Sequence, residues 1–240
     1  MKNKFAISMI IGMLTIGNSI PCFAMDTSGS FLNDAAIVIN DETPVNDFTF
    51  EMSSYSTKFS TNKANENRNS NIQLASDSIN GYILKPGETF SYNKVILDTS
   101  NQGEGYKEAG ILINGKPATG IGGGICQVSS TLFEAALYSG ISITERHNHS
   151  AKVGYMGAGR DATVSWGGPD LKFKNTYDED IKIESTVDNG VLSIRFLTRK
   201  NPNMKKVNVW TEYDKETNTY ALKRSQDGWI DYKTYSRYKK

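Results

Sequence analysis

The feature that most limits what this chain can fold into is a single apolar helix framed by glycine. Gly120, Gly122, Gly123 and Gly124 run into segment 126–139, where Val128, Leu132 and Ala135-Ala136 recur at helical spacing, and Gly140 stands where the helix should stop. Past Gly140 the period changes to two: Ile141, Ile143, Glu145, His147 and His149 alternate with other residues, the pattern of a strand. Further extended pieces are expected at 55–59, 89–93, 162–166, 171–173, 181–183 and 191–197, punctuated by Gly168-Pro169-Asp170 and Asp188-Asn189-Gly190. Asn114-Gly115 is a hairpin signal. One other helix is expected over 67–79, with Ile72, Ala75 and Ile79 on one face and Gly81 as its cap. The expected fold class is α+β: an antiparallel β-rich domain around a central helix that carries Cys126 at its N-terminus. Beyond Thr198 the chain is polar, basic and tyrosine-rich, and reads as a small C-terminal β appendage of one or two hairpins over 198–240.

The N-terminus sets the compartment. Lys2 and Lys4 precede an apolar run over 5–20, followed by Pro21-Cys22-Phe23-Ala24, which reads as a secretory signal, 1–24, cut after Ala24. Ser8, Thr15, Gly17 and Asn18 interrupt the run and weaken the alternative of a permanent anchor, so no stable membrane span is expected after cleavage. Pro21 argues against lipid modification of Cys22. Residues 25–54 read as a polar lead-in with short apolar runs at 35–39 and 48–52. A net charge of +1 gives no support for a nucleic-acid partner. Of two cysteines, Cys22 would leave with the signal and Cys126 would remain without a disulfide partner. A lone thiol outside the cytoplasm is open to oxidation, and calls for burial or a job.

Three features suggest the job. Cys126 opens a helix fed by Gly122-Gly123-Gly124, where free backbone N–H groups and the helix dipole favour a thiolate. Gly123 and Gly124 would let a peptide backbone approach, and the N–H groups of Cys126 or Gln127, with the Gln127 amide, could receive an oxyanion. His147 and His149 are the only histidines; two apart on a strand, they should face one side, where either could be the base for Cys126. Asp161 would orient an imidazole, and Arg160 would take a substrate carboxylate. The bland alternatives are a buried structural Cys126, an exposed histidine pair and a salt-bridged turn at 160–161. With no further Cys or His to fill a coordination shell, neither a metal nor another cofactor is expected.

These residues carry a resemblance. Arg68-x-x-Asn71-Ile72, Ile79-Asn80-Gly81, Pro86-Gly87-Glu88-x-Phe90-Ser91, Gly105-Tyr106, the run from Gly120 through Gly124-Ile125-Cys126-Gln127-Val128-Ser129-Ser130-Thr131-Leu132, Glu145-Arg146-His147-x-His149-Ser150, Gly159-Arg160-Asp161-Ala162-Thr163-Val164 and Pro169-Asp170-Leu171-Lys172-Phe173 together resemble the VanW family. The family takes its name from an accessory protein of some glycopeptide-resistance gene clusters. The resemblance covers 55–197 and leaves the lead-in and tail outside. Some members look like L,D-transpeptidases that use the motif cysteine to form 3-3 peptidoglycan cross-links. For this chain that implies Cys126 attacking the carbonyl before the terminal D-alanine of a stem tetrapeptide, with His149 favoured as base and His147 in reserve. The partner would be peptidoglycan stem peptides. The Ser-His-Gly-Cys motif of the other L,D-transpeptidase class is absent. A hydrolase that trims stems, or a non-catalytic wall-binding or resistance accessory module, remains open on the same residues.

Overall fold

The computed structural model describes residues 47–100, 104–113 and 115–239, so the expected signal, most of the lead-in and Asn114 lie outside the described residues. In chain order the elements are β1 (Phe50–Lys58), a 3-10 turn (Lys63–Asn65), α1 (Glu66–Ile79), β2 (Ile83–Leu84), β3 (Thr89–Ser91), α2 (Tyr92–Ser100), β4 (Glu108–Ile113), β5 (Lys116–Ile121) and α3 (Ile125–Tyr138). There follow β6 (Ser142–Glu145), β7 (Lys172–Lys174), β8 (Ile181–Asp188), β9 (Val191–Thr198), β10 (Val207–Asp214), β11 (Thr219–Gln226) and β12 (Trp229–Ser236). Among the described residues the protein is β-rich with few helices, and all strand pairs are antiparallel.

Alternation builds the main sheet. Ile181 and Ile183 on β8, and Leu192, Ile194 and Phe196 on β9, are fully buried, while residues between them are less so. Asn189 and Gly190, both at positive φ, close the two-residue turn that pairs Asp188 with Val191. The order β1-β9-β8-β2 completes this sheet, and α1 and α3 pack on it. A second sheet, β3-β7-β6, joins the first through aromatic contact: Phe173 stacks on Phe90 at 4.7 Å and meets Phe196 edge-on at 5.6 Å.

The central helix is more deeply set than one apolar face would require. Nearly every residue of α3 from Ile125 to Leu137 is buried, Cys126 being the part-exposed exception. Each fully buried Leu or Phe side chain there contributes roughly 1.5–3 kcal/mol. Its polar residues are satisfied by tertiary partners, as burial demands. Thr131 meets Thr57 at 2.9 Å, and Ser129 donates to the Ala162 carbonyl at 2.7 Å.

Three expectations fail for identifiable reasons. Residues 92–93 are not extended: Ser91 Oγ accepts from the Lys94 N–H at 3.2 Å and Asp170 accepts from the Asn93 N–H at 2.9 Å, and these two caps start α2. The histidine strand ends at Glu145, after a register shift between Ile143 and Glu145, so His147 and His149 lie on irregular chain. Residues 161–166 form no strand either, because α3 takes their backbone groups: Ser130 Oγ accepts from the Ala162 N–H at 2.9 Å. The C-terminal residues, expected as an appendage, form the sheet β10-β11-β12, and it is tied into the core. Leu222 is fully buried, and Arg224 donates to the Ile141 carbonyl at 2.7 Å and the Leu137 carbonyl at 3.3 Å, capping the last turn of α3 with a cation.

Candidate active site

Glycine sets the start of α3. Gly122 and Gly124 have φ of +78° and +117°, a region side chains rarely adopt. At Gly123 the constraint is space: a Cβ would lie 2.7 Å from the Gly110 carbonyl oxygen. Buried Asn71 holds this loop, donating to the Gly123 and Lys107 carbonyls at 2.9 Å and accepting from the Lys107 N–H at 2.8 Å. Cys126 is therefore presented on the first turn of α3, where it lines a cleft of about 600 Å³.

The thiol has defined neighbours. Sγ lies 3.4 Å from the Val164 carbonyl oxygen and 3.8 Å from Thr163 Oγ1, and His149 lines the same cleft and acts on the thiol electrostatically. His149 is buried, and its Nδ1 lies 2.6 Å from Asp161 Oδ2, which also accepts the His149 backbone N–H at 2.7 Å. With Nδ1 on the carboxylate, Nε2 is the nitrogen left for the thiol. Asp161 Oδ1 accepts from the Tyr238 hydroxyl and lies 3.5 Å from the Arg146 guanidinium. Arg146 in turn donates to the Asp161 and Gly159 carbonyls and to Ser236.

The electrostatics favour an ion pair. Burial pushes the Cys126 thiol up, but the nearby His149 imidazole, helped by the Val164 backbone and Thr163, outweighs it and holds the thiol below its ordinary value. Burial opposes the charged imidazole too, yet Asp161 and Cys126 raise His149 to about 9. Asp161 is held below the usual carboxylate range: burial would raise it, and His149 and Arg146 prevail. Thiolate and imidazolium support each other, and the carboxylate supports the imidazolium.

The structure thus brings Cys126, His149 and Asp161 together. It does not bring His147 to them: that ring is 47% exposed and its Nε2 lies 3.0 Å from Glu145 Oε1. The one-face expectation fails because the chain here is not a strand. Arg160 does not line the cleft; it pairs with the fully buried Glu134 of α3 and donates to the Tyr138 hydroxyl at 2.9 Å. The Gln127 amide is also engaged, accepting from Arg68 at 2.8 Å and donating to Thr57 Oγ1 and the Lys58 carbonyl at 3.0 Å, so it is not aimed at an oxyanion. Gly123 and Gly124 line the cleft beside the thiol. Among the described residues no cluster of three or more His, Cys, Asp or Glu side chains is placed to hold a metal. Sequence reasoning missed Arg146 and Tyr238 as partners of Asp161; Arg146 carried a signal by its adjacency to the histidines, whereas Tyr238 carried none.

A thiol at the start of a buried helix, with an imidazole in the same cleft and a carboxylate behind that imidazole, defines the class: an antiparallel α+β domain with a candidate Cys–His–Asp site. The chain belongs to the VanW family, whose model, described as VanW like protein, matches residues 67–197. It is 44% identical over 147 residues to "Uncharacterized protein YoaR" of Bacillus subtilis (strain 168), covering 61% of this chain and 47% of that protein. It is 34% identical over 142 residues to "Vancomycin B-type resistance protein VanW" of Enterococcus faecalis (strain ATCC 700802 / V583), covering 57% of this chain and 51% of that protein. The chain spans about half the length of these curated relatives. No solved structure matches it at a significant level.

Proposed function

We propose that this chain is an exported cell-wall enzyme that transfers acyl groups between peptidoglycan stem peptides, an L,D-transpeptidase forming 3-3 cross-links. The observation that carries the reading is that Cys126 and His149 line one cleft, with Asp161 on the far nitrogen of the imidazole. The resistance role named for the Enterococcus faecalis relative supports a cell-wall setting, and the basic and apolar N-terminal run supports export.

The chemistry follows from the pair. The Cys126 thiolate attacks the carbonyl carbon before the terminal D-alanine, forming a C–S bond. As the C–N bond breaks, the His149 imidazolium gives its proton to the departing amine, and D-alanine leaves. The amine of a second stem then attacks the thioester, His149 takes its proton, and the C–S bond breaks to regenerate the thiolate. Asp161 keeps Nδ1 occupied so that Nε2 serves both steps. Water in place of the amine would make the same site a stem-trimming hydrolase.

Incubation of the purified protein with a tetrapeptide muropeptide should release D-alanine and yield a dimer by mass. Cys126→Ala should abolish both, His149→Ala should slow them by ~10²–10⁴-fold, and His147→Ala should leave them unchanged. Equal activity in wild type and Cys126→Ala would overturn the reading, and free tripeptide without dimer would make the protein a hydrolase.

A further inference from the structure

The cleft over Cys126 is walled largely by apolar side chains. Ile111, Leu112, Ile113 and Ile121 come from the β4–β5 hairpin, with Tyr155 and Trp166 also in the wall. The cleft's polar lining includes Gln127, Thr163, Ser165 and Arg68. Among the described residues Arg68 is the one cation lining the cleft besides His149, whose charge is already matched by Asp161 and Cys126.

Arg68 has no such match. Its partners are neutral: Gln127 Oε1 at 2.8 Å, and the Tyr155 ring, whose centroid is 5.9 Å from the guanidinium carbon. No carboxylate pairs with it among the described residues, in contrast to Arg146, Arg160, Arg195, Arg199 and Arg224, each of which has one. A guanidinium carries five N–H donors, so most of its capacity is open. A half-buried charge in an apolar cleft interacts more strongly with an arriving anion than one on an open surface.

Its position is also built. Gly124 has no side chain, and a Cβ there would lie 3.0 Å from the Arg68 carbonyl oxygen and 3.3 Å from its Cγ. That absence lets α1 lie against the first turn of α3, within two residues of Cys126. Gln127, anchored at its other end by Thr57 and Lys58, orients the guanidinium.

We propose that Arg68 is the carboxylate-binding residue of this cleft, holding a carboxylate of the acyl-donor peptide beside Cys126. The forked guanidinium suits a carboxylate's two oxygens. That the ligand is a donor peptide rests on the function proposed above; that the cleft recognises a carboxylate does not. A stem tetrapeptide offers its terminal carboxylate and its internal ones, and Arg68 would read one of them.

The test is equilibrium binding by calorimetry to the Cys126→Ala protein. The ligands are a stem tetrapeptide as free acid, as its C-terminal carboxamide, and with its internal carboxyls amidated. One amidated form should bind about 10- to 100-fold more weakly than the free acid, which identifies the carboxylate that is read. Adding Arg68→Ala, or Arg68→Gln should the alanine variant fail to fold, should weaken the free acid by a similar factor and leave that amide unchanged. Equal binding of all three forms, binding of none, or indifference of the free acid to the Arg68 substitutions overturns the proposal. Carboxylate-dependent binding without turnover by the wild type sinks the acyl-transfer reading alone. Turnover insensitive to amidation and to Arg68→Gln sinks the carboxylate site alone.

Discussion

At the scale of single residues, the decisive fact is that Cys126 and His149 shift in opposite directions. The thiol is held low and the imidazole is raised to about 9, so the ion pair exists above the lowered thiol value and below about 9. Two reactions should read this window differently. Acyl transfer needs the imidazolium proton for the departing amine, so its rate should rise as the thiol ionises and fall as pH passes about 9. Alkylation by iodoacetamide needs only the thiolate, so its rate should rise over the same acidic limb and then hold. In His149→Ala the alkylation midpoint should move up, because burial then acts on the thiol without its largest opponent. A midpoint that does not move would show that the imidazole leaves the thiol unperturbed. Much of this was legible beforehand: helix-start cysteine, nearby histidine, and aspartate a short way on. Spacing alone did not separate the two histidines, since residues two apart are equivalent on a strand and inequivalent on the irregular chain they occupy; the family resemblance favoured His149, the one that pairs with Asp161.

Among the elements, α3 does most to organise the molecule, and it explains Arg160. Glu134 is fully buried on this helix, and burial raises its pKa against the pull of the Arg160 guanidinium. Arg160→Ala would leave that carboxylate without its cation, at a cost of about 3–5 kcal/mol. Urea denaturation should show a loss of this size, while the KM for the donor peptide stays unchanged. A raised KM at unchanged stability would return Arg160 to the substrate. The sequence pattern could suggest the arginine's chemistry but not its partner, because Glu134 and Arg160 are 26 residues apart and meet only when the 157–164 segment folds across α3. The same crossing removed the expected strand there: the serines of α3 meet the backbone groups that a neighbouring strand would have taken.

At the scale of the whole molecule, the C-terminal sheet matters most. It lies beyond the matched family region, 67–197, yet the residues that follow it reach the site: Tyr238 donates to Asp161 Oδ1 and accepts the Gly159 N–H at 2.6 Å, and the Lys239 N–H donates to the Ser150 carbonyl at 2.8 Å. Tyr238→Phe removes a donor from a buried carboxylate and an acceptor from a buried N–H, so stability should fall by about 1–3 kcal/mol. The Cys126 alkylation profile should shift as well, since the carboxylate that holds His149 has changed. A variant with wild-type stability and an unshifted profile would mean that the sheet is only attached to the domain.

What the sequence alone determined is local. Glycines that permit positive φ, an apolar helix and alternating strands are consequences of backbone sterics and side-chain period, and they placed Cys126 at a helix start and the β8–β9 hairpin at Asn189-Gly190. What only the tertiary structure decided is pairing across distance: Arg160 with Glu134, Tyr238 with Asp161, and Arg68 left without a carboxylate. The reason is physical. A buried polar or charged group must find a partner wherever the packed chain supplies one, and no periodicity encodes which distant residue that will be.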